Sequence, residues 1–275
     1  MKLRTFIFAL LSMAACASFT SCGSGDDNDA PGDEIHDGNS LIKPEKVFPG
    51  IRLKTFNGVN LIYDADGLLI EMGEYLTLIY EGETVTVVGA SRDNEAISYT
   101  LTIGADGFVK HMEGTYGAEQ DDCYYTYSAD GYLIKIVNNR STPSGPEPMY
   151  TLLDWEDGTL ISTASSDHEL TGFDDPTADI VTFDYGATPV ENKGGFMALD
   201  DIFDNNSFGM CTNIPYFGGM MGKGCKYIPV RADYTRHIYS DEYACTFDAN
   251  GYPTSLRISE IARGIIVDNF TLGWY

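Results

Sequence analysis

Five times along this chain a strand-like segment leads into a short polar turn that ends in glycine. The units are Tyr63-Asp64-Ala65-Asp66-Gly67, Gly104-Ala105-Asp106-Gly107, Tyr127-Ser128-Ala129-Asp130-Gly131, Trp155-Glu156-Asp157-Gly158 and Phe247-Asp248-Ala249-Asn250-Gly251. Asp or Ser suits the first position of a type I turn, and glycine suits the position where a left-handed backbone closes a bulged hairpin. Aromatic and β-branched residues flank each unit, as strands prefer. A chain punctuated in this way is committed to antiparallel hairpins.

The segments between turns alternate apolar and polar residues. Residues 75–80, 84–88, 97–103 and 179–183 each read as a short strand. Helical spacing of apolar residues appears only over 195–203. Many short strands joined by hairpins make an antiparallel meander, which must curl or close to protect its edges. The expectation is therefore an all-β, single-domain, barrel-like or strongly curved sheet over residues 46–275. The acidic turns do not complete calcium loops. Asp64 and Asp66 alternate, but Ala65, Leu68 and Ile70 stand where an EF-hand needs further ligands.

The N-terminus supplies an address. Met1-Lys2-Leu3-Arg4 is basic, Phe6 to Ala17 is apolar, and Phe19-Thr20-Ser21-Cys22 places small residues before a cysteine. This is the layout of a bacterial lipoprotein signal over residues 1–21, with Cys22 as the lipidated first mature residue. The apolar run is shorter than the roughly 20 residues that a helix needs to span a bilayer. Cys16 follows Met13-Ala14-Ala15 and is a second candidate. Cys22 is preferred because Gly23-Ser24-Gly25-Asp26-Asp27-Asn28-Asp29 continues as a flexible acidic tether. That tether is expected to span residues 22–45.

The chain holds 41 acidic and 17 basic residues, a formal net charge of -24. Such a surface repels nucleic acid phosphates and anionic headgroups, which excludes nucleic acid as a partner. Four cysteines remain beyond the signal and lipid site, namely Cys123, Cys211, Cys225 and Cys245. In an exported protein an even count points to disulfides. Cys211 and Cys225 bracket a glycine-rich loop, so they are expected to pair, leaving Cys123 for Cys245. No close C-x2-C spacing suggests a metal.

The lipobox, the acidic tether, the Tyr-Ser-Ala-Asp-Gly-Tyr-Leu hairpins and Phe183-Asp184-Tyr185 shortly before Glu191-Asn192-Lys193 resemble a family of Bacteroidetes lipoproteins. That family is a domain of unknown function with a porin-like fold. The hairpin units also resemble the YD repeats of secreted toxins and adhesins. The resemblance implies a curved antiparallel sheet or barrel on a lipid tether, and brings no catalytic residues. The segment from Asn205 to Gly224 is a local elaboration.

The chain carries no G-x-S-x-G elbow, H-E-x-x-H pair or phosphate-binding glycine loop. Asp167-His168-Glu169 offers a base beside acids, but adjacent strand residues point to opposite faces. His111 and His237 read as surface residues of strands or loops. No catalytic residue, metal or cofactor is expected. The strongest binding signal is Asn213 to Gly222, where Tyr216, Phe217, Met220 and Met221 lie among glycines as an adaptable apolar surface. The preferred reading of this segment is nevertheless a plug that closes the open end of the curved sheet with its apolar residues. The terminal Phe270-Thr271-Leu272-Gly273-Trp274-Tyr275 also allows an integral outer-membrane barrel, although a lipid anchor would then be redundant.

The sequence thus points to an outer-membrane lipoprotein at the cell surface that binds a glycan or protein and performs no chemistry. A carboxylate-based glycan hydrolase and a structural or adhesive envelope component are the rival readings.

Overall fold

The computed structural model describes residues 41–197, 209–235 and 240–275. Its wall begins with β1 (Leu53–Phe56), β2 (Val59–Tyr63), β3 (Leu69–Met72), β4 (Leu76–Glu81), β5 (Thr84–Ala90) and β6 (Ala96–Ile103). It continues through β7 (Val109–Tyr116), β8 (Glu119–Tyr127), β9 (Leu133–Thr142), β10 (Gly145–Glu156), β11 (Thr159–Ser166) and β12 (Asp179–Asp184). A two-stranded ribbon, β13 (Val190–Glu191) with β14 (Tyr227–Ile228), and a helix, α1 (Gly209–Phe217), then leave the wall. β15 (Arg231–Tyr234), β16 (Ser240–Phe247), β17 (Pro253–Glu260) and β18 (Ile265–Trp274) complete it.

Each wall strand pairs antiparallel with its neighbours in sequence, except that β12 pairs with β15 across the inserted segment, for example Thr182 opposite Asp233. β1 and β18 close the circle through Leu53–Trp274 and Phe56–Leu272. The result is a closed sixteen-strand barrel, which leaves no free edge around the wall. The sequence expectation of an all-β curved or barrel-like sheet is met, and of its two forms the closed one is adopted.

Four of the repeated turns share one geometry. Gly67, Gly107, Gly131 and Gly251 have φ of 80°, 84°, 86° and 85°. Each glycine N–H donates to the carbonyl three residues back, at 2.8–3.1 Å. The first residue adds a side-chain clamp in three of them. Asp64 Oδ1 accepts from Leu68 N at 2.8 Å, Ser128 Oγ from Tyr132 N at 3.1 Å, and Asp248 Oδ1 from Tyr252 N at 2.9 Å. The fifth unit differs. Asp157 and Gly158 both have positive φ and join the opposed residues Glu156 and Thr159, so this is a two-residue turn. All five units follow even-numbered strands, so the antiparallel order brings them to one end of the barrel. The inserted segment and the start of β1 lie at that same end.

Alternation sets the polarity of the wall. In β6, Ile97, Tyr99, Leu101 and Ile103 are buried, while Ala96, Ser98, Thr100 and Thr102 face solvent. The buried set is continuous with residues of α1 and with Ile42, Val47 and Phe48 in one core. In β6 the apolar residues face the interior and the polar ones solvent, the reverse of a strand whose apolar face meets lipid. Phe270 and Leu272, which suggested a membrane barrel in the sequence, point into this core.

Packing also starts earlier than the expected boundary at 46. Ile42 is buried, and Pro44–Lys46 forms a 3-10 turn whose Lys46 Nζ donates to Asp106 O at 2.6 Å. The helix expected over 195–203 is not seen in residues 195–197, which are irregular, and the rest of that stretch lies outside the described residues.

Candidate functional site

Of the two sequence readings of Asn213–Gly222, the preferred one, a plug, is the one the structure adopts. Tyr216, Phe217, Met220 and Met221 are not an exposed binding loop. They are 1%, 2%, 0% and 4% exposed, and belong to the interior. α1 is buried on nearly all sides, as a helix with no polar face must be. Tyr216 packs edge-on against Phe48 at 5.3 Å, and Phe217 lies 5.1 Å from Phe56, which in turn stacks on Phe270. Tyr216 Oη donates to Gly195 O at 2.9 Å, and Val109 N donates to Met220 O at 2.9 Å. The segment is a plug. A closed wall with an apolar lining must be filled from within, and this apolar segment fills it.

The cysteines are also arranged differently from the sequence expectation. Cys211 on α1 faces Cys123 on β8, with their sulfurs 2.7 Å apart, and not Cys225. Cys225 Sγ instead sits 3.5 Å from both Leu160 N and Tyr185 Oη. Cys245 is half-buried on β16, away from Cys123, and burial pushes its thiol up to about 12. Cys22, the expected lipidation site, lies outside the described residues, as do His36 and His237.

With the apolar segment consumed by the core, a groove of about 710 Å³ opens at the turn-bearing end. Tyr132 and Trp155 form its aromatic wall, their ring centroids 4.9 Å apart. Trp155 is held from behind, because its Nε1–H donates to Leu133 O at 2.7 Å. Tyr132 emerges from the clamped Ser128–Gly131 turn, and the Lys223 ammonium lies over its ring at 5.4 Å from the centroid. Gly158 has a φ of 80°, and a β-carbon there would lie 2.7 Å from Tyr132 Oη and displace it.

The plug's return strand completes the groove. Lys223 N donates to Gly131 O and Lys226 N to Gly158 O, both at 2.9 Å, which ties the backbone of this segment to two of the repeated turns. Asn192 holds that strand from below, its Nδ2 donating to Cys225 O at 3.0 Å and to Phe196 O at 2.5 Å. Asp130, Asp154 and Asp157 supply carboxylates around the same opening. An aromatic face framed by hydroxyl, carboxylate and ammonium groups can stack on an apolar ring face while hydrogen-bonding its substituents.

A second, shallower depression of about 430 Å³ lies on the outer wall over β6–β9. At its margin His111, Glu113 and Asp122 bring one ligand atom each to within 4.8 Å of one another, the one such grouping among the described residues. His111 Nε2 is 2.7 Å from Asp122 Oδ1 and stacks on Tyr124 at 4.6 Å. Partial burial would raise Asp122, but bonds from His111, Asn139 and Tyr124 outweigh it and hold the carboxyl below its ordinary range. These residues could hold a cation. The sequence shows only His-x-Glu on one strand, and the third member arrives by register, Glu113 standing opposite Asp122. His168, by contrast, sits near an exposed corner, with Asp167 Oδ1 at 2.9 Å and Ser166 Oγ at 2.8 Å.

An antiparallel barrel of sixteen strands with a filled interior and its elaborations gathered at one end is a porin-like fold. The chain belongs to the family described as domain of unknown function (DUF4595) with porin-like fold, whose model matches residues 57–255. Its fold is similar to that of a porin-like protein from Bacteroides vulgatus ATCC 8482, at 13% identity and a TM-score of 0.61. That match covers 82% of this chain and 99% of the other. A porin-like protein from Bacteroides uniformis ATCC 8492 is similar at 15% identity and a TM-score of 0.57, over 79% and 89% of the two chains. No curated protein matches this chain.

Proposed function

We propose that this protein is a surface lipoprotein of the outer membrane, anchored through Cys22, that binds a carbohydrate in the groove between Tyr132, Trp155 and the two plug lysines, without catalysis. The observation that carries the reading is the construction of that groove. An aromatic pair, its Trp155 tied by a hydrogen bond to Leu133 O, is lined by three carboxylates and by two lysines whose backbone is hydrogen-bonded to the turns. Carbohydrate is the ligand class that uses both parts, the flat face for C–H surfaces and the polar frame for hydroxyls. The lipobox ending at Cys22 supports a lipid anchor as the means of membrane attachment.

The test is a glycan-array screen with the detergent-solubilised, lipidated protein, followed by calorimetric titration of the best binder. Trp155→Ala should weaken binding at least tenfold, about 1.4 kcal/mol. Array silence, or binding indifferent to both Trp155→Ala and Lys223→Ala, would remove this groove as the ligand site. Anchoring and exposure are read separately. Cys22→Ala should abolish metabolic labelling by palmitate, and protease added to intact cells should degrade the wild-type domain.

A further inference from the structure

The plug helix and the barrel wall meet at two cysteines that the sequence alone would not pair. We propose that Cys123 and Cys211 are joined by a disulfide in the exported protein, which staples α1 to β8. The two residues are 88 positions apart, yet their sulfurs face each other directly at 2.7 Å, and both side chains are fully buried. The surroundings hold both elements in that register. Tyr125 Oη, one residue pair along β8 on the same inner face, donates to Cys211 O at 2.5 Å. Asn138 on the adjoining strand stands opposite Cys123 and approaches Cys211 Sγ at 3.8 Å, while its Nδ2 donates to Asp121 Oδ1 at 2.9 Å. Tyr99 Oη fixes the other oxygen of Asp121 at 2.7 Å. Both cysteines are thus set by neighbours that do not depend on a bond between them.

The remaining two cysteines are left as thiols. Cys225 is engaged with Leu160 N and Tyr185 Oη, and Cys245 lies on a different part of the wall. An export signal ending before Cys22 places folding in a compartment where disulfides persist.

The chemistry is thiol–disulfide exchange with an oxidised dithiol oxidase of the envelope. One cysteine thiolate attacks the oxidant's disulfide, giving a mixed disulfide and releasing one oxidant thiol. The second cysteine thiolate then displaces the other oxidant sulfur. Two cysteine thiols lose two protons and two electrons, and the oxidant disulfide becomes two thiols. Burial pushes the Cys211 thiol well above its ordinary range in the closed barrel. Exchange therefore precedes the final seating of the plug, while the thiols still meet water. The staple also fixes the segment that carries Lys223 and Lys226, although the bond itself does not depend on any ligand.

The test is peptide mapping of the lipidated protein extracted from envelopes in denaturant and excess N-ethylmaleimide, without reductant. The expected result is a linked peptide containing Cys123 and Cys211, two hydrogens lighter than the separate peptides, with maleimide on Cys225 and Cys245. Maleimide on Cys123 and Cys211, or a bridge from either to Cys225 or Cys245, would overturn the proposal. In Cys211→Ser, Cys123 should become fully alkylated in denaturant, and a Cys123 that stays blocked would equally overturn it.

Discussion

Phe217→Ala distinguishes a plug from a binding loop by the size of its effect on stability. The Phe217 side chain is 2% exposed and lies 5.1 Å from Phe56 and 5.3 Å from Tyr216 by ring centroid. It stands in a core whose closed wall cannot collapse around a lost ring. Removing such a side chain costs roughly 3–5 kcal/mol through lost transfer energy and residual cavity. An unfolding entropy of roughly 2.1 cal/mol/K per residue gives about 0.5 kcal/mol/K for a domain of this length, so the melting temperature should fall by about 8 °C. Differential scanning calorimetry of the purified protein measures this directly. A double-mutant cycle with Phe56→Ala should show coupling of about 0.5–3 kcal/mol, as expected for rings in contact. A solvent-facing residue of a binding loop would instead change stability by less than about 0.5 kcal/mol. A melting temperature within about 1 °C of wild type, or strictly additive losses, would refute the plug.

Other perturbations separate the remaining features. Asp241 is 3% exposed, directly opposite Glu260, and one of its oxygens finds no donor among the described residues while the other accepts from Tyr234 Oη at 2.9 Å. Burial raises its carboxyl, Tyr234 opposes the rise, and the Glu260 charge adds to it. A raised acid stabilises the fold below its unfolded pKa of about 3.9 and loses that contribution as pH climbs. Asp241→Asn should therefore raise the melting temperature at pH 7, with the gain vanishing toward pH 4, and equal gains at both pH values would contradict this. Joint replacement of Cys123 and Cys211 by Ser should cost about 4 kcal/mol if their bond closes an 88-residue separation, read as a lowered urea midpoint. Gly158→Ala should cost stability, through both its positive φ and the approach to Tyr132 Oη, and should weaken carbohydrate capture by disturbing Tyr132.

Much of the wall was legible in the chain. The strands expected at 75–80, 84–88, 97–103 and 179–183 correspond to β4, β5, β6 and β12, because alternation is a local signal with a period of two. The turns were equally visible, apart from Asp157-Gly158, where the single preceding Asp concealed a two-residue loop. Asn57-Gly58 makes another two-residue turn and carried the same signal, an Asn-Gly pair between strands. α1 was not legible. It has Pro215 within it and glycines beyond it, and a helix buried on nearly all sides has no amphipathic period to read.

The candidate site shows the same division. Trp155 and Tyr132 each belong to a turn unit recognised from sequence, but their 4.9 Å approach depends on the register of β9 against β10. The two lysines join them only because the plug's return strand hydrogen-bonds to Gly131 and Gly158.

By itself, then, the sequence determined what neighbouring residues can decide, namely hairpins, strand faces, the expected export signal and the family resemblance. Closure, the partner of each cysteine and the fate of Tyr216, Phe217, Met220 and Met221 were decided by tertiary structure. Closing the wall through β1 and β18 creates an apolar interior, and an interior of that kind is stable only when filled. The apolar segment was therefore drawn inside, and the outer groove between Trp155, Tyr132 and the lysines is the surface proposed for a ligand.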